Sequence, residues 1–163
     1  MNFVTVYSKS RFKNMLQTFK NRDVAIISIE ATDECVRYYN ERYLESDFDN
    51  EHFLKDADNI LNVDFDDITE DLNYDGYHLK AITPEIAKNI YNFINRHLGK
   101  DFIIHCNAGQ SRSVAVARYI LDMFGDKYDL GKDSNTIDTP NIKVLSELKR
   151  CAFYDNYSVF NKQ

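Results

Sequence analysis

Short apolar runs along this chain are separated by longer stretches in which apolar residues recur three to four positions apart. Phe3 to Tyr7 alternates as a half-exposed strand, and Ser8 or Ser10 is placed to cap a helix carrying Phe12, Met15, Leu16 and Phe19 on one face. Val24 to Ile29 is almost wholly apolar, the pattern of a strand covered on both faces. Residues Ala31 to Leu44 read as helix and Glu45 to His52 as loop, and ILNVDF, Ile60 to Phe65, alternates into a third strand ending at Asp66-Asp67. Ile68 to Ile82 has no period and contains Asp75-Gly76, which predicts a loop with a turn. Thr83-Pro84-Glu85 signals a helix start, with Ile86, Ile90, Phe93 and Ile94 as its buried stripe and Gly99 past its end.

Phe102, Ile103 and Ile104 then form a short buried strand that stops at the polar segment HCNAGQSRS. Val114, Ala117, Ile120, Leu121 and Phe124 follow at helical spacing up to Gly125, a C-cap glycine by position. A polar connection is predicted from Asp126 to Asp138, and a last helix from Thr139-Pro140 with Val144, Leu145 and Leu148 facing inward. Strands alternating with helices predict an α/β fold, a central mostly parallel sheet of four to five strands flanked by helices. No repeat, low-complexity segment or linker divides residues 1–163, so a single domain is expected.

Composition narrows the classes. The net charge of −6 counts against general nucleic-acid or anionic-membrane binding, which need a basic face. The opening segment lacks the apolar core of a signal peptide, and no stretch approaches the roughly 20 apolar residues of a membrane span. Cys35, Cys106 and Cys151 are an odd number at no metal-ligand spacing, which favours a reducing, cytoplasmic setting over a disulfide framework. His52, His78 and His97 likewise lack metal spacing and read as surface or packing residues, so neither metal nor cofactor is expected. From 45 to 75 the chain carries a run of acids, with Lys55 the only Lys or Arg. Most of this run reads as a solvated face.

The chemistry concentrates between the Phe102–Ile104 strand and the helix after it. Cys106 and Arg112 bracket Asn107, Ala108, Gly109, Gln110 and Ser111, small or polar residues whose backbone N–H groups can curl around an anion while the helix N-terminus adds its positive end. Helix N-termini and neighbouring cations lower a cysteine pKa from about 8.5 to ~3.5–7.5, which yields the nucleophilic thiolate. Arg112 offers planar paired donors suited to phosphoryl oxygens, and Ser113 can donate to the sulfur. A structural thiol would need neither the arginine nor the glycine-containing loop.

HCNAGQSRS resembles the H-C-x5-R-S/T signature of the cysteine-dependent protein tyrosine and dual-specificity phosphatases. The resemblance extends from about Ile60 to Arg150, while the N-terminal part is similar only in its pattern of elements. It implies a dual-specificity-phosphatase-like sheet with the Cys loop at the C-terminal end of a central strand, where open α/β sheets bind ligands. It also implies a phosphocysteine intermediate and a general acid on the loop after an earlier strand. Asp67 is the first candidate, two residues past ILNVDF, and Asp66, Asp71 and Asp75 remain alternatives. His105 is expected to hydrogen-bond backbone near the loop and support the thiolate rather than shuttle protons.

The loop holds no Lys or Arg before Arg112, unlike relatives that act on phosphoinositides, and the chain has no tryptophan for a Trp-Pro-Asp acid loop. The implied substrate is a phosphorylated protein or peptide, with phosphotyrosine first and phosphoserine or phosphothreonine possible. Three other readings stand beside it. One is another Cys-loop enzyme, a sulfurtransferase or arsenate reductase; the second is a 5′-RNA triphosphatase; the third is a phosphoprotein-binding module with little turnover. Oligomeric state, and any disulfide from Cys35 or Cys151 to Cys106, are not legible in the sequence.

Overall fold

The computed structural model describes residues 1–43 and 46–160. Leu44 and Glu45, where the predicted second helix ends and the next loop begins, lie outside the described residues. In chain order the elements are β1 (Asn2–Ser8), α1 (Lys9–Phe19), β2 (Val24–Glu30), α2 (Asp33–Arg42), β3 (Ile60–Asp64), β4 (Leu72–Tyr74) and β5 (Tyr77–Leu79). They continue with α3 (Pro84–Arg96), β6 (Asp101–Cys106), α4 (Arg112–Phe124), β7 (Tyr128–Leu130) and α5 (Ile142–Phe160).

Five strands form one sheet in the order β3-β2-β6-β1-β7, every pair parallel. β6 is the central strand, so Cys106 stands at the C-terminal edge of the middle of the sheet, opposite Ser8 of β1. β2 is buried along its whole length, as its unbroken apolar run requires. One face carries α1, whose Phe12 and Phe19 pack with Tyr7, Val24, Ile26 and Ile103. The other face packs against α3, α4 and α5 through Val4, Val6, Ile27, Phe102 and Ile104. Each fully buried side chain of this size favours folding by about 1.5–3 kcal/mol, so the central strand is anchored on both faces.

Four segments depart from the sequence pattern. β1 is not half-exposed: Val4, Thr5, Val6 and Tyr7 are all buried, because β6 and β7 flank it and helices cover both faces. The polar connection 126–138 contains an edge strand, β7, whose three residues are too few to show a period. Within 68–82, predicted as loop, β4 and β5 form an antiparallel hairpin. Asp75 and Gly76 are its turn at φ of +49° and +81°, the two-residue turn in which both central residues take positive φ. The last helix starts later than Thr139-Pro140: Asn141 Oδ1 accepts from Lys143 and Val144 N–H, and the helix begins at Ile142. Where the pattern and the structure agree, the caps are visible. Ser8 accepts from Arg11 N–H, and Thr83 accepts from Ile86 N–H with Pro84 in the first turn.

Candidate active site

The segment between β6 and α4 is tied down by its carbonyls. Asn107 C=O accepts from Lys9 N–H at 3.0 Å, Gly109 C=O from Asn135 Nδ2 at 3.0 Å, Gln110 C=O from Thr139 Oγ1 at 3.2 Å, and Ser111 C=O from Asn141 N–H at 3.1 Å. No amide from Asn107 to Ser111 finds a protein acceptor among the described residues. A run of free N–H groups leading into a helix N-terminus is an anion cradle. Gly109 has φ of +67°, and a Cβ there would come within 2.6 Å of the Tyr7 and Ser8 backbone, so the loop can lie against β1 only with glycine at that position.

Cys106 and Ser113 meet inside this turn, Sγ and Oγ 3.0 Å apart and both buried. Arg112 is 6 % exposed. Its Nη1 donates to Phe65 C=O at 2.7 Å, while Nε is buried with no partner among the described residues. Such an orphan donor costs about 1–3 kcal/mol unless something accepts from it. A cleft of about 510 Å³ opens over the turn, lined by Cys106, Asn107, Ala108, Gln110, Ser111 and Arg112 on one side and by Asp66 and Asp67 on the other. Tyr38, Tyr39 and Phe48 form an aromatic wall.

The two neighbouring aspartates are used differently. Asp66 is 2 % exposed: its Oδ1 accepts from Thr32 N–H, and its Oδ2 from Thr32 Oγ1 and Lys80 N–H, at 2.8–2.9 Å. Its own N–H donates to Lys80 C=O at 2.7 Å, so Asp66 closes the base of the excursion that carries the β4–β5 hairpin. Asp67 instead faces the Cys loop. Its Oδ1 accepts from Ser111 Oγ at 2.7 Å and Asn141 Nδ2 at 2.9 Å, and its Oδ2 has no partner among the described residues. Asp71 accepts from Ala81 N–H, and Asp75 lies in the hairpin turn beside Arg42. Cys35 lines the same cleft, and burial together with Asp66 pushes its thiol up to about 12.

Beneath the cradle, His105 is fully buried and stacked on Phe12 at 4.2 Å. Burial drives its pKa down to about 3, against a smaller opposing pull from the Cys106 backbone. Its Nε2 lies 2.7 Å from Ser28 Oγ, a side-chain partner, and Nδ1 completes no hydrogen bond among the described residues. Ser28 Oγ also lies 2.7 Å from His52 Nδ1, and His52 Nε2 lies 2.6 Å from Asp64 Oδ1. Beside them Glu30, 1 % exposed and with its pKa raised by burial, pairs with Lys9 Nζ at 3.0 Å.

Cys106, Arg112, Asp67 and the loop residues except Gly109 thus border one cleft, with Ser113 behind the sulfur. Asn141, Ser28 and His52 were not singled out by sequence reasoning. Asn141 follows a Thr-Pro pair that reads as a helix start by itself, and only the fold brings it to Asp67. His52 was set aside for lack of metal spacing, a criterion blind to a hydrogen-bonded role.

No family model matches this chain, and no curated protein matches it. Solved structures do. The human tyrosine phosphatase-like serine/threonine/tyrosine-interacting protein aligns over 93% of this chain and 87% of its own, at 18% identity and a TM-score of 0.44. Tk-PTP in the active form aligns over 92% and 79%, at 15% identity and 0.40. PTPMT1 in complex with PI(5)P aligns over 94% and 94%, at 12% identity and 0.43. These neighbours are tyrosine phosphatase-like proteins in name, and at such scores the likeness carries nothing about chemistry here. Among the described residues, no helix is long and apolar enough to cross a membrane.

Proposed function

We propose that this chain is a phosphatase that hydrolyses phosphotyrosine in proteins through a phosphocysteine intermediate. The observation that carries the reading is that Cys106, Arg112 and Asp67 border one cleft, together with a run of amides that find no acceptor among the described residues. A phosphoryl group suits this floor: it offers three oxygens to the N–H groups and to the buried Nε of Arg112. The wall of Tyr38, Tyr39 and Phe48 offers ring faces to an aryl leaving group, which favours phosphotyrosine over phosphoserine and phosphothreonine.

In the first step the Cys106 thiolate attacks phosphorus and the P–O bond to the leaving group breaks. Asp67 gives that oxygen its proton from Oδ2, the oxygen left free by Ser111 and Asn141. In the second step water attacks phosphorus and the P–S bond breaks. Asp67 takes the water proton, Ser113 donates a hydrogen bond to the departing sulfur, and inorganic phosphate leaves. Neither step calls on a metal. Asp66, with its oxygens occupied by Thr32 and Lys80, serves as an anchor in this scheme rather than as the alternative acid.

The test is hydrolysis of para-nitrophenyl phosphate and of a phosphotyrosyl peptide in the presence of a chelator. Cys106→Ser is expected to abolish turnover. Asp67→Asn is expected to lower kcat by about 10²–10⁴-fold, the usual contribution of a positioned proton donor, with Asp66→Asn losing stability first. Folded wild-type protein that binds the peptide without releasing phosphate would establish the binding module instead.

A further inference from the structure

On the α1 side of the sheet a continuous hydrogen-bonded row runs from the surface to the residue before Cys106. Asp64 of β3 is half exposed, His52 is 17 % exposed, and Ser28 and His105 are buried side by side as register partners on β2 and β6. The three contacts are 2.6, 2.7 and 2.7 Å long. Nothing in the mechanism above uses Asp64, His52 or Ser28.

The proton count of this row has only two solutions. A serine hydroxyl has one hydrogen, so Ser28, held between two ring nitrogens, donates to one and accepts from the other. An ionised Asp64 only accepts, so His52 Nε2 carries a hydrogen in both. If His52 is neutral, its Nδ1 is a lone pair: Ser28 donates to His52, and His105 Nε2–H donates to Ser28. His105 Nδ1 is then bare. If His52 is cationic, its Nδ1–H donates to Ser28, Ser28 donates to His105 Nε2, and the hydrogen of His105 sits on Nδ1. His105 itself is neutral throughout, since burial keeps it from taking a second proton.

We propose that His52 and Asp64 are positioning residues for Cys106: a proton gained or lost at His52 reverses the Ser28 hydroxyl and switches the tautomer of His105. Histidine is the side chain that ordinarily changes charge between about pH 5 and 8. The cationic form places a hydrogen on Nδ1 of the ring next to Cys106 in the chain and favours the thiolate, and the neutral form leaves a lone pair on that nitrogen and disfavours it. Other charges lie near the row. Lys9 and Lys13 come from α1, Glu30 from β2, Asp49 from the segment that carries His52, and Arg112 from α4. Lys9 is paired with Glu30 at 3.0 Å and Asp49 at 2.8 Å, the arginine is permanently charged, and Glu30, raised by burial, makes no hydrogen bond to the row, so His52 is the histidine that hands a change in charge directly to Ser28.

The consequence for turnover rests on the phosphatase reading; the tautomer switch does not. Long-range ¹H–¹⁵N correlation spectra of the imidazole rings, recorded from pH 5 to 8, report both histidines in one sample. The expected result is that His105 passes from Nδ1–H to Nε2–H over the same pH interval in which His52 loses its proton. His52→Gln, which keeps a polar partner for Ser28, is expected to hold one tautomer of His105 throughout. In parallel, the rate at which iodoacetamide alkylates Cys106, read on its own peptide by mass spectrometry, should show an inflection at the His52 titration. That inflection should move to lower pH in Asp64→Asn and disappear in His52→Gln. A His105 tautomer that stays fixed while His52 titrates, a His52 that does not titrate in this range, or superimposable alkylation profiles in wild type and His52→Gln would each overturn the proposal. If His52→Gln does not fold, the wild-type spectra decide alone. A working switch in a protein that hydrolyses no phosphate ester would overturn the phosphatase reading and leave this one standing.

Discussion

At the scale of single residues, Ser113 is the side chain that would separate the two steps of the proposed mechanism. Its hydroxyl is 3.0 Å from Cys106 Sγ, behind the sulfur and away from the cleft, so it can act on the charge of the thiolate without touching substrate. The first step consumes that charge and the second restores it. Removing the hydroxyl therefore burdens the step in which sulfur leaves. A hydrogen bond to a charged group contributes about 1.5–3 kcal/mol, so Ser113→Ala is expected to slow breakdown of phosphocysteine by about 10–100-fold. Rapid-mixing kinetics should then show a burst of the aryl alcohol equal to the enzyme concentration, followed by a slow steady state, where wild type shows a smaller burst or none. Equal slowing of burst and steady state would place Ser113 in the first step. Of this site, the sequence displays the residues whose spacing is local, from His105 to Ser113. It also offered Asp67 beside three rival carboxylates, because proximity across the sheet edge is not written in spacing. Asp66 has both oxygens taken by Thr32 and Lys80, while Asp67 stands at the Cys loop through Ser111 with no partner for Oδ2 among the described residues, and that difference supports the choice of Asp67 over Asp66.

At the scale of elements, the start of α5 does two things through one side chain. Asn141 Oδ1 caps the helix by accepting from Lys143 and Val144, while Nδ2 donates to Asp67. Asn141→Asp separates them. Aspartate caps a helix about as well as asparagine, so α5 should keep its stability, whereas Asn141→Ala should lose about 0.5–2 kcal/mol. Asn141→Asp also withdraws the donor and sets a second carboxylate beside Asp67, which makes the proton of Asp67 harder to remove. Its rate profile should keep the acid form to higher pH than wild type while kcat falls, with the urea midpoint unchanged; a lower midpoint with an unaltered profile would make Asn141 only a cap. The elements legible in sequence were those with length or caps: β2, α1, α3 and α4 all carry an unbroken run, a helical stripe or a Thr-Pro start. The hairpin and β7 escaped because strands of three residues fit no period, and α5 was placed early because Thr139-Pro140 imitates a start while Thr139 Oγ1 in fact serves Gln110 of the Cys loop.

At the scale of the whole molecule, the buried groups around the site set a pH window for folding. His105 ionises near 6.5 when exposed but at about 3 in the folded chain, where burial disfavours the cation. The unfolded chain therefore takes up a proton that the native state refuses. Stability is full above about pH 6.5 and falls as the pH drops from there toward 3. Linkage puts the loss at roughly 2 kcal/mol by pH 5. At the alkaline side the sign reverses. Cys35 is raised from 9.0 to about 12, and Tyr119 from 10.0 to about 12, each chiefly by burial. The unfolded chain releases these protons first, so stability is full below about pH 9 and declines above it. Glu30, raised by burial, works the other way in acid: the folded chain binds its proton more readily than the unfolded one. The acid limb must therefore be read as a difference. Urea midpoints of wild type and His105→Gln, compared from pH 8 to pH 5, should converge as the pH falls, because only wild type carries the histidine cost while Glu30 acts on both. A gap that stays constant across this range would mean that His105 is accommodated as a cation. That result would remove the neutral ring on which the Ser28 relay depends.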